Sequence, residues 1–227
     1  MAKKPANPIL VNLDEFVSHG EALKRIALEK PFDDLAMQIL ESYNARGGEW
    51  DLPFAFFCSA ASRGRALHEA TVREITKTNP PASITLLRQL AETVAMTFYV
   101  ADHPDYVSVL ATLPSEKKPG EPNRKSMQTL VNYMDRHYTD QFAVVYADMC
   151  EMTHFGTSAL WSSHSVKDDD GKVTFSWSSV PKWKTDKDAL ICCALLLELT
   201  QGMRGALIAL GETLIRLAER SAETARG

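Results

Sequence analysis

Residues 81–101, PASITLLRQLAETVAMTFYVA, decide the fold. Ile84, Leu86, Leu87, Leu90, Val94, Met96, Phe98 and Val100 do not fit on one narrow helical face. A helix apolar almost all the way round is normally buried among other helices. Yet this stretch carries Arg88 and Glu92. At about 100° per residue, Arg88, Glu92, Ala95 and Tyr99 fall within roughly 60° of one another. The expectation is a central helix with one polar stripe: a cation, an anion one turn on, and a phenol two turns further. Buried charge is costly unless paired, so the stripe needs partners from elsewhere in the chain.

Outward from this stretch the chain reads as helix after helix. Asn79-Pro80-Pro81 ends a long preceding helix and starts the central one. That preceding helix begins at Trp50 to Pro53 and reaches Thr78, apolar in its first turns and charged in its second half, where Arg65, Glu69 and Arg73 recur every four residues. Before it, Asn12 and Glu15 have capping-box spacing for a first helix to Glu29, and a second runs from Phe32 to Arg46, ended by Gly47-Gly48. Residues 1–11 read as a flexible arm. After the central helix come a short helix over 105–113, a Pro- and charge-rich loop over 114–122, a helix from an Asn123 cap to Tyr138, and another from Thr139-Asp140 to His154.

The period then changes. Ser165 to Trp177, with Asp170-Gly171 at its centre, reads as a β-hairpin within an insertion over 162–180. An isolated hairpin is marginal in water, so Val173, Phe175 and Trp177 are expected to pack onto the helices. Trp161, Trp177 and Trp183 gather around it, as a small satellite core or as a cover over a polar pocket. Thr185 or Asp186 then caps a final helix to Thr224. In it Leu196, Met203, Leu210 and Leu217 recur every seven residues, with Cys193, Thr200, Leu207 and Leu214 between them. The later part of this seam is expected to pair with another subunit, giving a homo-oligomer; the other reading is packing on its own bundle. The fold class is therefore mainly α, one domain over 1–227: a bundle of about seven or eight helices with one β-hairpin before a long C-terminal helix.

Composition narrows the function classes. The formal net charge of −4 excludes bulk basic character of the kind that binds nucleic acid non-specifically. Cys58, Cys150, Cys192 and Cys193 include no CxxC, and suit reduced thiols in a cytoplasmic protein. The N-terminus has no long apolar run of the signal-peptide kind. Glu198, Gln201 and Arg204 break the apolar run of the last helix, which argues against a membrane span. No Walker loop, dinucleotide-binding glycine motif, GxSxG or HExxH occurs, and no cofactor is expected.

Chemistry concentrates in two segments. Besides the central stripe there is Tyr146-Ala-Asp-Met-Cys-Glu-Met-Thr-His154, in which Ala143, Ala147, Cys150 and His154 share a face of mostly small residues. Small residues allow close approach of another helix, and the central helix is the natural partner, which would bring His154 to Arg88 and Glu92. Three readings follow. In the first, Arg88, Glu92 and His154 form a structural polar cluster. In the second, His154 is a general acid or base, Arg88 holds a phosphate or carboxylate, and Tyr99 or Tyr146 adds a hydroxyl; phosphodiester cleavage is the reaction this suits first. In the third, Glu151 and His154, spaced as in di-iron bundles, hold a metal, with Glu92 as a further ligand; no second Glu-x-x-His accompanies them.

The run LLRQLAETVAMTFYV, followed by YADMCEMTHFG, resembles a prokaryotic family of uncharacterised helical proteins that pair an Arg-x-x-x-Glu helix with a later Tyr-containing helix ending in His. The resemblance covers residues 82–160 and implies Arg88, Glu92, Tyr146 and His154 as shared positions. The chain is also broadly similar to helical ribonucleases of the HEPN class, many of them toxins or defence proteins. These use an Arg-x(4–6)-His motif, with two subunits completing the site. Arg63 to His68 has that spacing, but Gly64 stands where the motif is normally polar. The implied expectation is a metal-independent nuclease acting on RNA, or a protein binding a small phosphorylated ligand.

Overall fold

The computed structural model describes residues 16–28, 32–154, 164–178 and 181–224. Among them are eight helices: α1 His19–Leu28, α2 Asp33–Ala45, α3 Leu52–Thr76, α4 Pro80–Asp102, α5 Tyr106–Ala111, α6 Met127–His137, α7 Phe142–Thr153 and α8 Asp186–Thr224. An antiparallel hairpin, β1 His164–Asp169 and β2 Lys172–Trp177, falls between α7 and α8. The protein is mainly α, with the hairpin before the long last helix, as the sequence indicates. The N-terminal arm, the Asn12/Glu15 cap and Trp161 lie outside the described residues.

Side chains fix where the helices begin. Asp51 accepts a hydrogen bond from the Phe54 N–H at 2.8 Å, with Pro53 in the first turn of α3. Thr185 accepts from the Asp188 N–H at 3.2 Å while the Asp188 carboxylate accepts from the Thr185 N–H at 2.9 Å, a reciprocal cap on α8. The cap of α6 is Ser126, whose hydroxyl accepts from the Thr129 N–H at 3.2 Å, rather than Asn123. Ser18 and Glu21 frame the start of α1: Ser18 Oγ accepts from the Glu21 N–H at 3.3 Å and Glu21 accepts from the Val17 N–H at 2.9 Å.

The central helix is where the sequence puts it. Leu87, Leu90, Ala91, Ala95 and Val100 of α4 are fully buried. α3 and α8 pack against it most extensively, and α6 and α7 cover more of it. Two apolar clusters result, both built on α3, α4 and α8: one with α2, α5 and α6, the other with α1 and α7. The seven-residue seam of α8 is spent inside the chain, with Cys193, Leu196, Thr200, Met203, Leu207, Leu210 and Leu214 all buried. Self-association through α8 would have to use its outward residues, Ile191 and Ile208 among them. α8 is also long and apolar enough to cross a membrane, but half of its apolar window is buried in the bundle, as in a core helix.

Two glycines set helix separations. A Cβ at Gly211 of α8 would come within 2.7 Å of Ile39 Cγ2 on α2, and one at Gly64 of α3 within 3.0 Å of Met203 Cγ on α8. Gly64, which departs from the ribonuclease motif, is thus a packing residue where α3 approaches α8.

The hairpin departs from expectation. Asp170 at φ 49° and Gly171 at φ 80° make its turn. Val166, Val173, Phe175 and Trp177 form one face, but they are 58%, 65%, 58% and 67% exposed, so none packs onto the helices. Cross-strand contact is the only cover they have among the described residues: Val166 pairs with Phe175, and His164 with Trp177. Trp183, by contrast, is partly buried against the α1/α7 cluster, so Trp177 and Trp183 do not share a satellite core.

Gly211→Ala is expected to lower stability by about 1–3 kcal/mol through overpacking against Ile39. Gly205→Ala, whose added methyl would sit an ordinary 3.5 Å from Phe98, should be neutral or stabilising by up to about 1 kcal/mol. Urea denaturation of the two variants measures this, and an equal effect at both positions would refute the close-approach argument. Phe175→Ser and Trp177→Ser should each change the unfolding free energy by less than about 0.5 kcal/mol; a loss of several times that would mean these side chains are covered in solution.

Candidate functional site

The polar groups of α4 find their partners on α7. Arg88 Nη1 donates to Thr153 Oγ1 at 2.9 Å and lies 3.2 Å from His154 Nε2. Its Nε is 3.5 Å from Glu92 Oε1 and, although buried, makes no well-aligned hydrogen bond. The same Glu92 oxygen accepts a hydrogen bond from the Tyr146 hydroxyl at 2.8 Å. Arg88, Glu92, Tyr146 and His154 therefore meet, and Thr153 joins them. The helices account for this: Arg88 and Glu92 are one turn apart on α4, Tyr146 and Thr153 two turns apart on α7, and His154 caps the α7 carboxyl end.

α7 does not present the face read from the sequence. Its small residues are not the contact: Ala147 is exposed and Ala143 and Cys150 are half-buried. Met149 is buried, and Phe142, Val145 and Tyr146 pack with it against the core. Large side chains fill the space between helices better than a close approach of small ones, and this rotation aims the Tyr146 hydroxyl and Thr153 at α4. Thr153 was legible in principle, because it lies seven residues, about two turns, from Tyr146.

Tyr99 is not part of the cluster. Two turns on from Glu92 is about 10 Å along the axis, and there α5 and α6 replace α7 as neighbours. Its ring packs edge-on against Tyr106 and Tyr133, each with ring centres 5.0 Å away, and lies 4.5 Å from the His103 ring. Lys125 stands over its face at 5.4 Å. Glu151 is exposed, and no group of three His, Cys, Asp or Glu residues converges among the described residues. The Glu151/His154 pair thus gains no third ligand from Glu92 or from any other described residue.

The cluster is reachable from solvent. The Arg88 and Glu92 side chains are 22% and 27% exposed, and His154 is exposed. Because the guanidinium can only donate, His154 Nε2 accepts, which puts the ring proton on Nδ1. Burial, and then the Glu92 carboxylate, push the Tyr146 phenol well above its ordinary value, so it stays a proton donor. The arrangement offers an exposed imidazole, a guanidinium beside it, and a carboxylate that orients the guanidinium.

Arg63 and His68 look different. Arg63 is exposed, with Nε donating to Thr93 Oγ1 of α4 at 3.2 Å. His68 is 3% exposed, with Nδ1 2.8 Å from Thr200 Oγ1 of α8. Five residues on a helix turn through about 140° net, so one side chain faces outward and the other into the core. Burial pulls the His68 imidazole below its ordinary value, partly opposed by Glu69 and by a backbone hydrogen bond at Ile26. Cys192 and Cys193 are buried with their thiols pushed up to about 12, so they are unreactive packing residues.

Comparison with known protein families, with characterised proteins and with solved structures gives no match.

The His68 shift carries a pH dependence. Its folded-state value lies below the unfolded value of 6.5, so the unfolded chain takes up the proton first as pH falls. The stability contributed by neutral His68 is complete above that range and is lost on acidification. The melting temperature should therefore drop more between about pH 7.5 and 5 in the wild type than in His68→Gln, which can still bond Thr200. Identical drops in the two proteins would show that His68 is free to protonate in the fold.

Proposed function

We propose that Arg88, Glu92, Tyr146 and His154 form an acid–base site that cleaves phosphodiesters, with RNA as the substrate class and without a metal ion. The observation that carries this reading is the exposed His154 imidazole, whose Nε2 lies 3.2 Å from the Arg88 guanidinium. A phosphate placed at the guanidinium would take over the hydrogen bond now given to His154, freeing Nε2 as a base. The imidazole then removes the proton from a ribose 2′-hydroxyl. The alkoxide attacks the adjacent phosphorus, the bond to the 5′-oxygen breaks, and a cyclic phosphate forms. The departing 5′-oxygen recovers a proton from the imidazolium or from water. Arg88 offsets the charge that builds on the phosphorane oxygens, and Glu92 holds Arg88 in place. The setting proposed is that of a prokaryotic toxin or defence protein with two subunits; the Arg63/His68 spacing shared with HEPN-class proteins lends the Arg88/His154 chemistry no support, because the fold separates those two side chains. Four free cysteines suit a cytoplasmic location.

A second reading is favoured by a different observation. The Tyr146–Glu92, Arg88–Thr153 and Arg88–His154 contacts all run between α7 and α4. The cluster then acts as a latch in a non-enzymatic binding or assembly module.

Expression of the wild type and His154→Ala side by side, scoring growth and total RNA, separates the two. The enzyme reading expects RNA loss with the wild type, at least about a hundredfold less cleavage with His154→Ala, and urea stability within about 0.5 kcal/mol of wild type. The latch reading expects no cleavage by either protein, and a stability loss of about 1–3 kcal/mol for Arg88→Ala, which leaves the half-buried Glu92 carboxylate with the Tyr146 hydroxyl but no cation beside it. Wild-type protein that leaves RNA intact under all conditions tried rejects the nuclease proposal.

A further inference from the structure

The carboxyl end of α4 carries a second polar constellation, about 15 Å along the axis from Glu92. A cavity of about 300 Å3 lies between the carboxyl end of α4 and the last turns of α8, bounded by Asp102, Pro104, Thr213, Arg216 and Arg220. This is within the size range of small-ligand sites.

Its two walls carry opposite charge and do not neutralise each other. On α8, Arg216 and Arg220 are four residues apart and so rise from the same side of the helix. Arg216 Nη2 donates to Thr213 Oγ1 at 2.8 Å, and Thr213 in turn donates to the Ala101 carbonyl at 3.0 Å, which ties this arginine to the end of α4. Among the described residues neither guanidinium is paired with a carboxylate. On α4, Asp102 is held from behind. The hydroxyls of Tyr133 and Tyr138 both donate to its Oδ2 at 2.6 Å. Burial, followed by Asp102 itself, raises both phenols, so both remain protonated donors. Both phenols are used on one oxygen, and Oδ1 is left without a protein partner among the described residues. A carboxylate fixed in this way across a cavity from two unpaired arginines leaves a gap for something that is anionic at one end and a hydrogen-bond donor at the other. Two guanidiniums match a dianion better than a single negative charge.

We infer that this cavity binds a small phosphomonoester bearing a free hydroxyl, its phosphate held by Arg216 and Arg220 and its hydroxyl donated to Asp102 Oδ1. The site is separate from the Arg88/His154 cluster and does not depend on its activity. Ribose 5-phosphate is the probe, titrated calorimetrically into the full-length protein at low salt, with inorganic phosphate and ribose as comparison ligands. Saturable binding of ribose 5-phosphate is expected, at least about tenfold tighter than inorganic phosphate, with ribose not binding. Arg220→Ala should weaken it by about tenfold or more, as one charge-assisted contact to a phosphate is lost. Asp102→Asn should weaken ribose 5-phosphate while leaving inorganic phosphate unchanged or tighter. Lys24→Ala, at an exposed position of α1, should change nothing. Arg220 is exposed, so its variant should fold, and an unchanged melting temperature verifies this. No saturable binding up to on the order of 10 mM, equal affinity for the ester and for inorganic phosphate, or an undiminished Arg220→Ala would each overturn the inference.

Discussion

One constraint organises this protein: α4 has no broad face to turn to water, so its buried polar groups must be met by a neighbouring helix or by its own backbone. The list of partners is nearly a plan of the bundle. Arg88 and Glu92 meet Thr153, His154 and Tyr146 of α7. The next residue, Thr93, receives the Arg63 guanidinium of α3 on the adjoining face. Thr97 returns its hydroxyl to the Thr93 carbonyl within α4. At the carboxyl end, Asp102 takes Tyr133 of α6 and Tyr138 just beyond it, and the Ala101 carbonyl takes Thr213 from α8. Apolar burial supplies most of the favourable free energy but does not choose among rotations of a greasy helix. The polar groups do choose, because each left unmet would cost on the order of 1–3 kcal/mol.

The same principle explains which parts of the fold were legible. Helix existence followed from periodicity and punctuation: the Asp51/Pro53 start of α3, the Pro-Pro start of α4, the Thr185 cap and the Asp170-Gly171 turn are local signals that the structure realises within a residue or two. The meeting of α4 with α7 was legible too, because charges on a buried helix demand a partner and the segment ending in His154 was the best supply of polar groups. What sequence could not fix was rotation. The small residues of α7 suggested one face, and the large ones took the contact. Tyr99 was placed on the Arg88 stripe by angle alone, yet angle says nothing of height. About 10 Å further along, a helix has different neighbours, and there they are aromatic.

Two further features turn on what an apolar pattern leaves open. A heptad seam reads identically whether its partner is another chain or the rest of its own. In α8 it is filled by α1 to α4, because Met203, Leu207, Leu210 and Leu214 lie where the α3 and α4 cores converge. The hairpin shows the reverse. Alternation correctly marks Val173, Phe175 and Trp177 as one face, but alternation does not guarantee a surface beneath. The bundle helices have already used their apolar sides on α4 and on one another.

The two polar clusters on α4, one at its middle and one at its carboxyl end, differ in a way that bears on what each can do. Around Arg88 the charges are matched inside the cluster: the guanidinium has Glu92 at 3.5 Å, and its hydrogen bonds already go to Thr153 and His154. A ligand there must displace existing bonds, which suits a site that engages a phosphate transiently and passes a proton. Around Asp102 the charges are separated: the carboxylate is anchored by two phenols while Arg216 and Arg220 face the same cavity without a carboxylate partner among the described residues. A ligand there completes a set of interactions rather than breaking one, which suits retention. Arg63 and His68 fit neither description, since the fold uses one on the surface of α4 and seals the other against Thr200. The polar groups that reach water thus gather at the middle and at the carboxyl end of the central helix, and not along α3, where the motif spacing alone would place them.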